Sequence, residues 1–265
     1  MTYADQIPVR SRREIECMRH AGRHVAEILL ALRELVQPGI KTIDIHRGAL
    51  RMIEERGILS SFVGYAPGGL PPYPATICLS VNEEIVHGIP GSRELKKGDI
   101  LSLDFGIICE GFHGDSAITI PVGSTSSLSE EAESLIEVTR ECLYLGIEQM
   151  VPGKRLSDIG HAVETRAASA GYSVVRQFVG HGIGRKLHEP PQIPNYGRPG
   201  RGPRLLPGMV FAIEPMVNVG TEKVRMLDDE WTAVTADGEL SGHFEHTVLI
   251  TENGPEILTQ IEGSH

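Results

Sequence analysis

Two hydrophobic periods divide the chain. Over residues 11–36 apolar positions return at helical spacing, the stripe of an amphipathic helix. Ser11 and Glu14 have the spacing of a capping box at its start, and Pro38-Gly39 stops it. A second helix is predicted over 42–56, ended by Gly57. A third is predicted over 130–150, after the Ser-rich loop GSTSSLS, and is stopped by Pro152-Gly153. A fourth over 156–170 is ended by Gly171. Short apolar runs predict strands: ATICLSV, DILSLDFGII and HGDSAITI in the first half, then YSVVRQFV, MVFAIEPMV, WTAVTAD and HTVLIT in the second. The Pro/Gly-rich stretch 189–208 reads either as an interdomain linker or as an ordered loop within one domain, and the second reading is preferred.

The order of elements repeats. Pro38-Gly39, Asp44-Ile45 and Gly57 recur as Pro152-Gly153, Asp158-Ile159 and Gly171. KGDILSLD matches PGMVFAIE, which sets Asp104 against Glu214. HGI at His87 recurs at His181, and FHGDSAITI aligned on HFEHTVLI sets Asp115 against Glu245. These matches imply an ancient duplication, with halves at about 11–121 and 127–252 inside a single domain over 1–265. Two helix pairs with antiparallel strands imply an α+β fold, helices on one face of a curved sheet.

Strand alternation gives the repeat a chemical meaning. Ser102 and Asp104 share one face of their strand, as do Ala212 and Glu214 of theirs, while Leu101, Leu103, Phe211 and Ile213 face the other way. A carboxylate in a buried strand is expensive unless paired. Singly, such an aspartate is usually a hydrogen-bonded structural residue, and a His-Gly pair is usually a turn. Recurrence of the same types in both halves favours convergence on one site: His87, Asp104 and Asp115 with His181, Glu214 and Glu245. Four carboxylates in one place repel, so some hold protons unless cations neutralise them. Two divalent ions would keep all four ionised, with two carboxylates bridging and two capping. Oxygen ligands with one or two imidazoles suit Mn, Fe, Co or Zn better than Mg or Ca.

Composition narrows the alternatives. The 265 residues are 40% hydrophobic and carry a net charge of −10, enough for a large core and unfavourable for DNA or non-specific RNA binding. The four cysteines (Cys17, Cys78, Cys109, Cys142) show no CxxC spacing and are expected to be reduced and mostly buried. The N-terminal MTYADQIPVRSRREIE has no apolar signal core, and no run is long enough to span a bilayer, so a cytoplasmic protein is expected. Nothing demands more than a monomer. The chain lacks GxxxxGK[ST], HExxH and GxSxG, and GHGIG has the wrong glycine spacing for a dinucleotide fingerprint.

VHGIP, LDFG…GFHGDSA, GHGIGRKLHEPP, FAIEPM and FEHTVLIT together closely resemble the methionine aminopeptidases of bacterial type I, over residues 7–258. The resemblance implies the pita-bread fold, itself a duplicated half, and removal of the initiator methionine from nascent polypeptides when the second residue is small. It implies two metal ions held by Asp104, Asp115, His181, Glu214 and Glu245. Asp115 and Glu245 would bridge, Asp104 would chelate one ion, and His181 and Glu214 would hold the other. A metal-bridging hydroxide would attack the first peptide bond, with Glu214 relaying protons, His188 binding the developing oxyanion and His87 near the scissile amide. One metal would also take the free α-amine. Tyr65, Tyr73, Cys78 and Trp231 match positions around the methionine side chain, although Trp231 reads equally as core packing.

Two departures bear on substrate range. Phe62 and Leu187 stand where many relatives carry Cys and Phe, and APGGLPP lengthens the loop after Tyr65. Proline-specific enzymes of the same fold carry an extra N-terminal domain, for which the helix starting near Ser11 leaves no room. The type II enzymes carry a long insertion between the last two acids, absent between Glu214 and Glu245. A binding module that keeps the fold without catalysis is the remaining alternative, and all five ligand positions argue against it. A ribosome contact would need a local basic patch, since the overall charge is acidic.

Overall fold

The computed structural model describes residues 7–261. The first six residues, part of the stretch in which no signal core is expected, and the last four of the 1–265 span lie outside it. Four α-helices carry the predicted helical segments: α1 Arg12–Arg33, α2 Thr42–Arg56, α3 Glu130–Ile147 and α4 Leu156–Ser169. The Ser11–Glu14 capping box closes the start of α1 from both sides, and Gly57 ends α2 in the left-handed conformation. Both long helices end three residues before their predicted limits. The N–H groups of Leu35 and Val36 bond back only three residues, to Leu32 and Arg33. Those of Gln149 and Met150 do the same, so each helix tightens before its proline.

The strands form one nine-stranded sheet and two small three-stranded ones among the described residues. The large sheet runs in the order Leu59–Ser60, Ile100–Cys109, Phe112–Pro121, Glu245–Thr251, Val210–Ile213, Gly180–Gly182, Glu189–Ile193. Cys78–Val81 pairs beside Ile100–Cys109, and Gly254–Ile257 beside Glu245–Thr251. Its pairings are antiparallel. The two halves of the sequence meet in the middle, where Glu245 lies opposite Ala117.

Helices cover one face. Val25, Ile28 and Leu32 of α1 and Ile45 and Ile53 of α2 pack on Leu101, Leu103, Phe105 and Ile107. Leu143 and Ile147 of α3 and Ile159 of α4 pack on Phe211 and Ile213. Each fully buried aliphatic side chain contributes about 1.5–3 kcal/mol. This face therefore holds the sheet firmly, and alternation leaves Asp104 and Glu214 on the other face, as predicted.

Three predicted segments differ. MVFAIEPMV breaks at Glu214-Pro215, where proline offers no N–H. Val210–Ile213 stays in the large sheet, and Met216–Asn218 pairs with Ser241–His243 and Ser173–Val174. YSVVRQFV keeps only Ser173–Val174 as strand. The 189–208 stretch is an ordered part of the fold: it contributes the strand Glu189–Ile193, Leu205 exchanges backbone hydrogen bonds with the turn before α4, and the Pro203 carbonyl accepts from the N–H of Leu156 at the start of α4.

Candidate metal centre and substrate cavity

The uncovered face of the sheet opens into a cavity of about 370 Å³. All the candidate site side chains line it: Asp104, Asp115, His181, Glu214 and Glu245; His87 and His188; Tyr65, Tyr73, Cys78 and Trp231; Phe62 and Leu187, the first of the two departures, line it as well. Asp115, His181 and Glu245 are buried and each offers a ligand atom within 4.8 Å of the others. Asp104 and Glu214 are partly open to the cavity.

The donor set fits divalent ions. Asp104 Oδ1, Asp115 Oδ1 and Glu245 Oε1 are buried with no hydrogen-bond partner among the described residues, and buried carboxylate oxygens are rarely left so. Burial pushes the Asp104 carboxyl up to about 7 and that of Glu214 up to about 8. Burial and mutual repulsion push Asp115 and Glu245 well above the usual carboxylate range. Such a group is at ease only with protons or cations in its midst. His181 is prepared as a ligand. Its Nδ1–H donates to the Gly182 carbonyl at 2.9 Å, which leaves the Nε2 lone pair facing the acids, 3.5 Å from Glu214 Oε1. Burial holds its pKa down at about 3, so the ring is neutral.

Local geometry explains several small residues. Gly106 faces Asp115 across the ladder, and a Cβ there would lie 2.9 Å from Asp115 Oδ1 and 2.9 Å from the Phe62 ring. The His-Gly pair at His87 is a strained corner: His87 has φ 62°, and a Cβ on Gly88 would lie 2.3 Å from the Leu79 carbonyl oxygen. The His87 ring packs edge-on to Phe178 and Trp231. His188 sits across the cavity, its ring 4.2 Å from that of His181, with Nδ1 2.5 Å from the Tyr65 hydroxyl. With that hydroxyl donating, Nε2 carries the proton. Burial holds both His87 and His188 down to about 4, as neutral rings.

The apolar wall is one cluster of Phe62, Tyr73, Ala75, Cys78, Leu187 and Trp231 with Tyr65 and Ile89 against it. Tyr73 and Trp231 meet edge to face at 5.1 Å. Trp231 is therefore both packed and cavity-lining. Its indole N–H donates to the Pro71 carbonyl at 3.0 Å, fastening the 66–72 loop, while Pro67 and Leu70 of that loop line the cavity.

Strand register corrects the repeat. Ser102 and Ala212 stand two residues before Asp104 and Glu214; Ser102 faces Ser80, and Ala212 faces His181. Ser80, rather than His87, thus occupies the position matching His181. Two residues after the acids, Gly106 faces Asp115, and Met216 faces His243. The match to Asp115 is His243, and Glu245 lies two positions along the same face. The sequence alignment drifted because HGI is a three-letter match, and because Glu245 lies on the same face as the true match.

His243 is the functional candidate that sequence reasoning missed. It lines the cavity and is 1% exposed, and its only trace in the sequence was the doubled histidine of HFEH.

The model of metallopeptidase family M24 matches residues 16–252. The chain belongs to this family. Among M24 members it falls with the methionine aminopeptidases. It is 52% identical to the methionine aminopeptidase of Clostridium perfringens over 256 residues, 97% of this chain and 100% of that protein. It is also 52% identical to methionine aminopeptidase 1 of Bacillus subtilis over 249 residues, 94% and 97% of the two chains. The crystal structure of the Thermotoga maritima methionine aminopeptidase superposes with a TM-score of 0.91 at 45% identity, covering 96% of this chain and all of that one. A prolidase from Pyrococcus horikoshii superposes at 0.75 with 21% identity over 64% of its length, a likeness of fold alone. The M24 fold is the pita-bread fold expected from the sequence.

Proposed function

We propose that this M24 hydrolase removes the initiator methionine from nascent polypeptides when the second residue is small, using two divalent ions drawn from Mn, Fe, Co or Zn. The observation that carries the reading is the buried group Asp115, His181 and Glu245, with orphaned carboxylate oxygens, at the floor of an aromatic-walled cavity. Asp115 and Glu245 would serve both ions, Asp104 one, and His181 with Glu214 the other. When bound, the ions activate water and polarise a carbonyl at neutral pH.

The remaining work falls to the chain's own side chains. Glu214, at the cavity floor, takes the proton released at the attacking water and delivers it to the leaving amine. His188, its Nδ1 engaged by Tyr65, presents an Nε2–H donor to the carbonyl oxygen as charge develops there. His87, held at its strained corner, lies beside the scissile amide. Tyr65, Tyr73, Cys78 and Trp231 enclose the methionine side chain, whose polarizable sulfur suits aromatic and thiol neighbours. Phe62 and Leu187 complete that wall. The single domain over 1–265, its two halves derived by duplication, works as a monomer in the cytoplasm on emerging N-termini. A ribosome contact, which would need a local basic patch on this acidic chain, is tested by co-sedimentation. No helix of the described residues is long and apolar enough to cross a membrane.

The test is a panel of Met-X-Ser peptides. Release of methionine from X = Gly, Ala or Ser, little from X = Leu, and none in chelator is expected. Equal cleavage of Met-Ala-Ser and Met-Leu-Ser would refute the small-residue rule and point to the 66–72 loop. A binding module without catalysis would release methionine from none.

A further inference from the structure

His243 has no part in the five-ligand set, yet its surroundings are built for one. Its backbone is pinned by a single hydroxyl: His243 N–H donates to Thr119 Oγ1 at 2.8 Å, and Thr119 Oγ1 donates to the His243 carbonyl at 2.8 Å. Ser102, two residues from Asp104, contacts the same hydroxyl at 2.8 Å. The imidazole is buried, and neither Nδ1 nor Nε2 has a hydrogen-bond partner among the described residues. A buried imidazole with two idle nitrogens is unfavourable unless something completes it.

The neighbouring carboxylate supplies the answer. Glu214 lies between two histidines, one facing each oxygen. His181 Nε2 is 3.5 Å from Oε1, and His243 Nε2 is 3.7 Å from Oε2. The His181 nitrogen carries a lone pair, because its Nδ1 holds the proton, so once Glu214 is ionised that side can only share a cation with it. The Oε2 side needs a donor. Closing 3.7 Å to a hydrogen bond takes about 0.8 Å, within reach of a small turn of the Glu214 side chain. Register adds an independent reason. His243 occupies the position in the second half that Asp115 occupies in the first, so the fold aims it at the same centre.

We propose that His243 is a positioning residue of the metal centre: its Nε2–H holds Glu214 by Oε2, turning Oε1 toward His181 and the ion they share. This rests on the metal reading above. A hydrogen-bond partner of a ligating carboxylate is typically worth about 10–100-fold in metal affinity.

The test is calorimetric titration of metal-stripped protein with Co²⁺ alone, for wild type, His243→Ala and His243→Gln. Glutamine keeps an N–H donor of similar reach but is a poor metal ligand. His243→Ala is expected to bind the Glu214-associated ion about 10–100-fold more weakly, and His243→Gln to recover most of the loss, with the melting of the stripped proteins little changed. If His243→Ala does not fold, His243→Asn replaces it, keeping the amide and shortening its reach, and weakening relative to Gln is expected. Wild-type affinity in His243→Ala would overturn the proposal while leaving the metal centre intact. A glutamine variant as weak as alanine would overturn the donor role and make His243 a ligand. A wild type that binds no Co²⁺ would bring down the metal reading itself, and this inference with it.

Discussion

Asp115→Asn should push stability and metal binding in opposite directions. In the metal-free protein Asp115 is a buried acid whose Oδ1 has no partner among the described residues, beside Glu245, Glu214 and Asp104. Its place in the strand does not depend on its carboxyl group. The backbone N–H donates to Thr247 Oγ1 at 3.0 Å, and Thr247 Oγ1 donates to the Asp115 carbonyl at 2.8 Å. An amide of the same shape removes one repelling acid and offers N–H donors to the carboxylates left behind. Relief of one unsatisfied buried group is worth about 1–3 kcal/mol. For a chain of this length each kcal/mol moves Tm by roughly 2–4 °C. The stripped variant should therefore melt a few degrees above stripped wild type. With metal the order reverses. A carboxylate serving both ions is lost, so affinity should fall by more than the roughly 10–100-fold typical of an indirect partner. Calorimetric melting with and without Co²⁺ checks both signs. A stripped variant that melts lower than wild type, or one that still takes up two ions with wild-type affinity, would refute the reasoning.

The pH dependence of the stripped protein follows from the same acids. Asp104 at about 7 and Glu214 at about 8 hold protons in the folded state that the unfolded chain has released. Metal-free stability should thus fall as pH rises from about 4 to about 8, and bound metal should flatten that slope, as read by urea melts across the range. His188→Ala should keep its metal and lose about 10²–10³ in kcat with KM changed far less, whereas His181→Ala should lose metal affinity and regain part of its rate when metal is added. Rescue by metal of His188→Ala but not of His181→Ala would reverse the two assignments.

Much of this architecture was legible because it is local. The Ser11–Glu14 box, the left-handed Gly57 and the alternation around Asp104 depend on residues a few positions apart. What escaped the sequence is set by pairing between distant strands. Which residue faces His181 depends on ladder register, and a shift of two along one strand leaves every side chain on the same face, so Glu245 could stand in for His243 without breaking the pattern. Tyr65 and His188 are brought together by the cavity across 123 positions of chain, so nothing in either segment announces the contact. The break at Glu214-Pro215 passes the chain from the large sheet to a small one, and the apolar residues on both sides of it read as a single strand although Pro215 marked the break.

The most direct test follows methionine release from Met-Ala-Ser while Mn²⁺ or Co²⁺ is added stepwise to stripped protein, with bound metal measured at each point. Release should be absent without metal and should rise to a plateau as the chain approaches two bound ions. In Asp115→Asn the same additions should produce neither the ions nor the release. Full release from the stripped protein in chelator, or wild-type release from Asp115→Asn with no bound metal, would contradict the account.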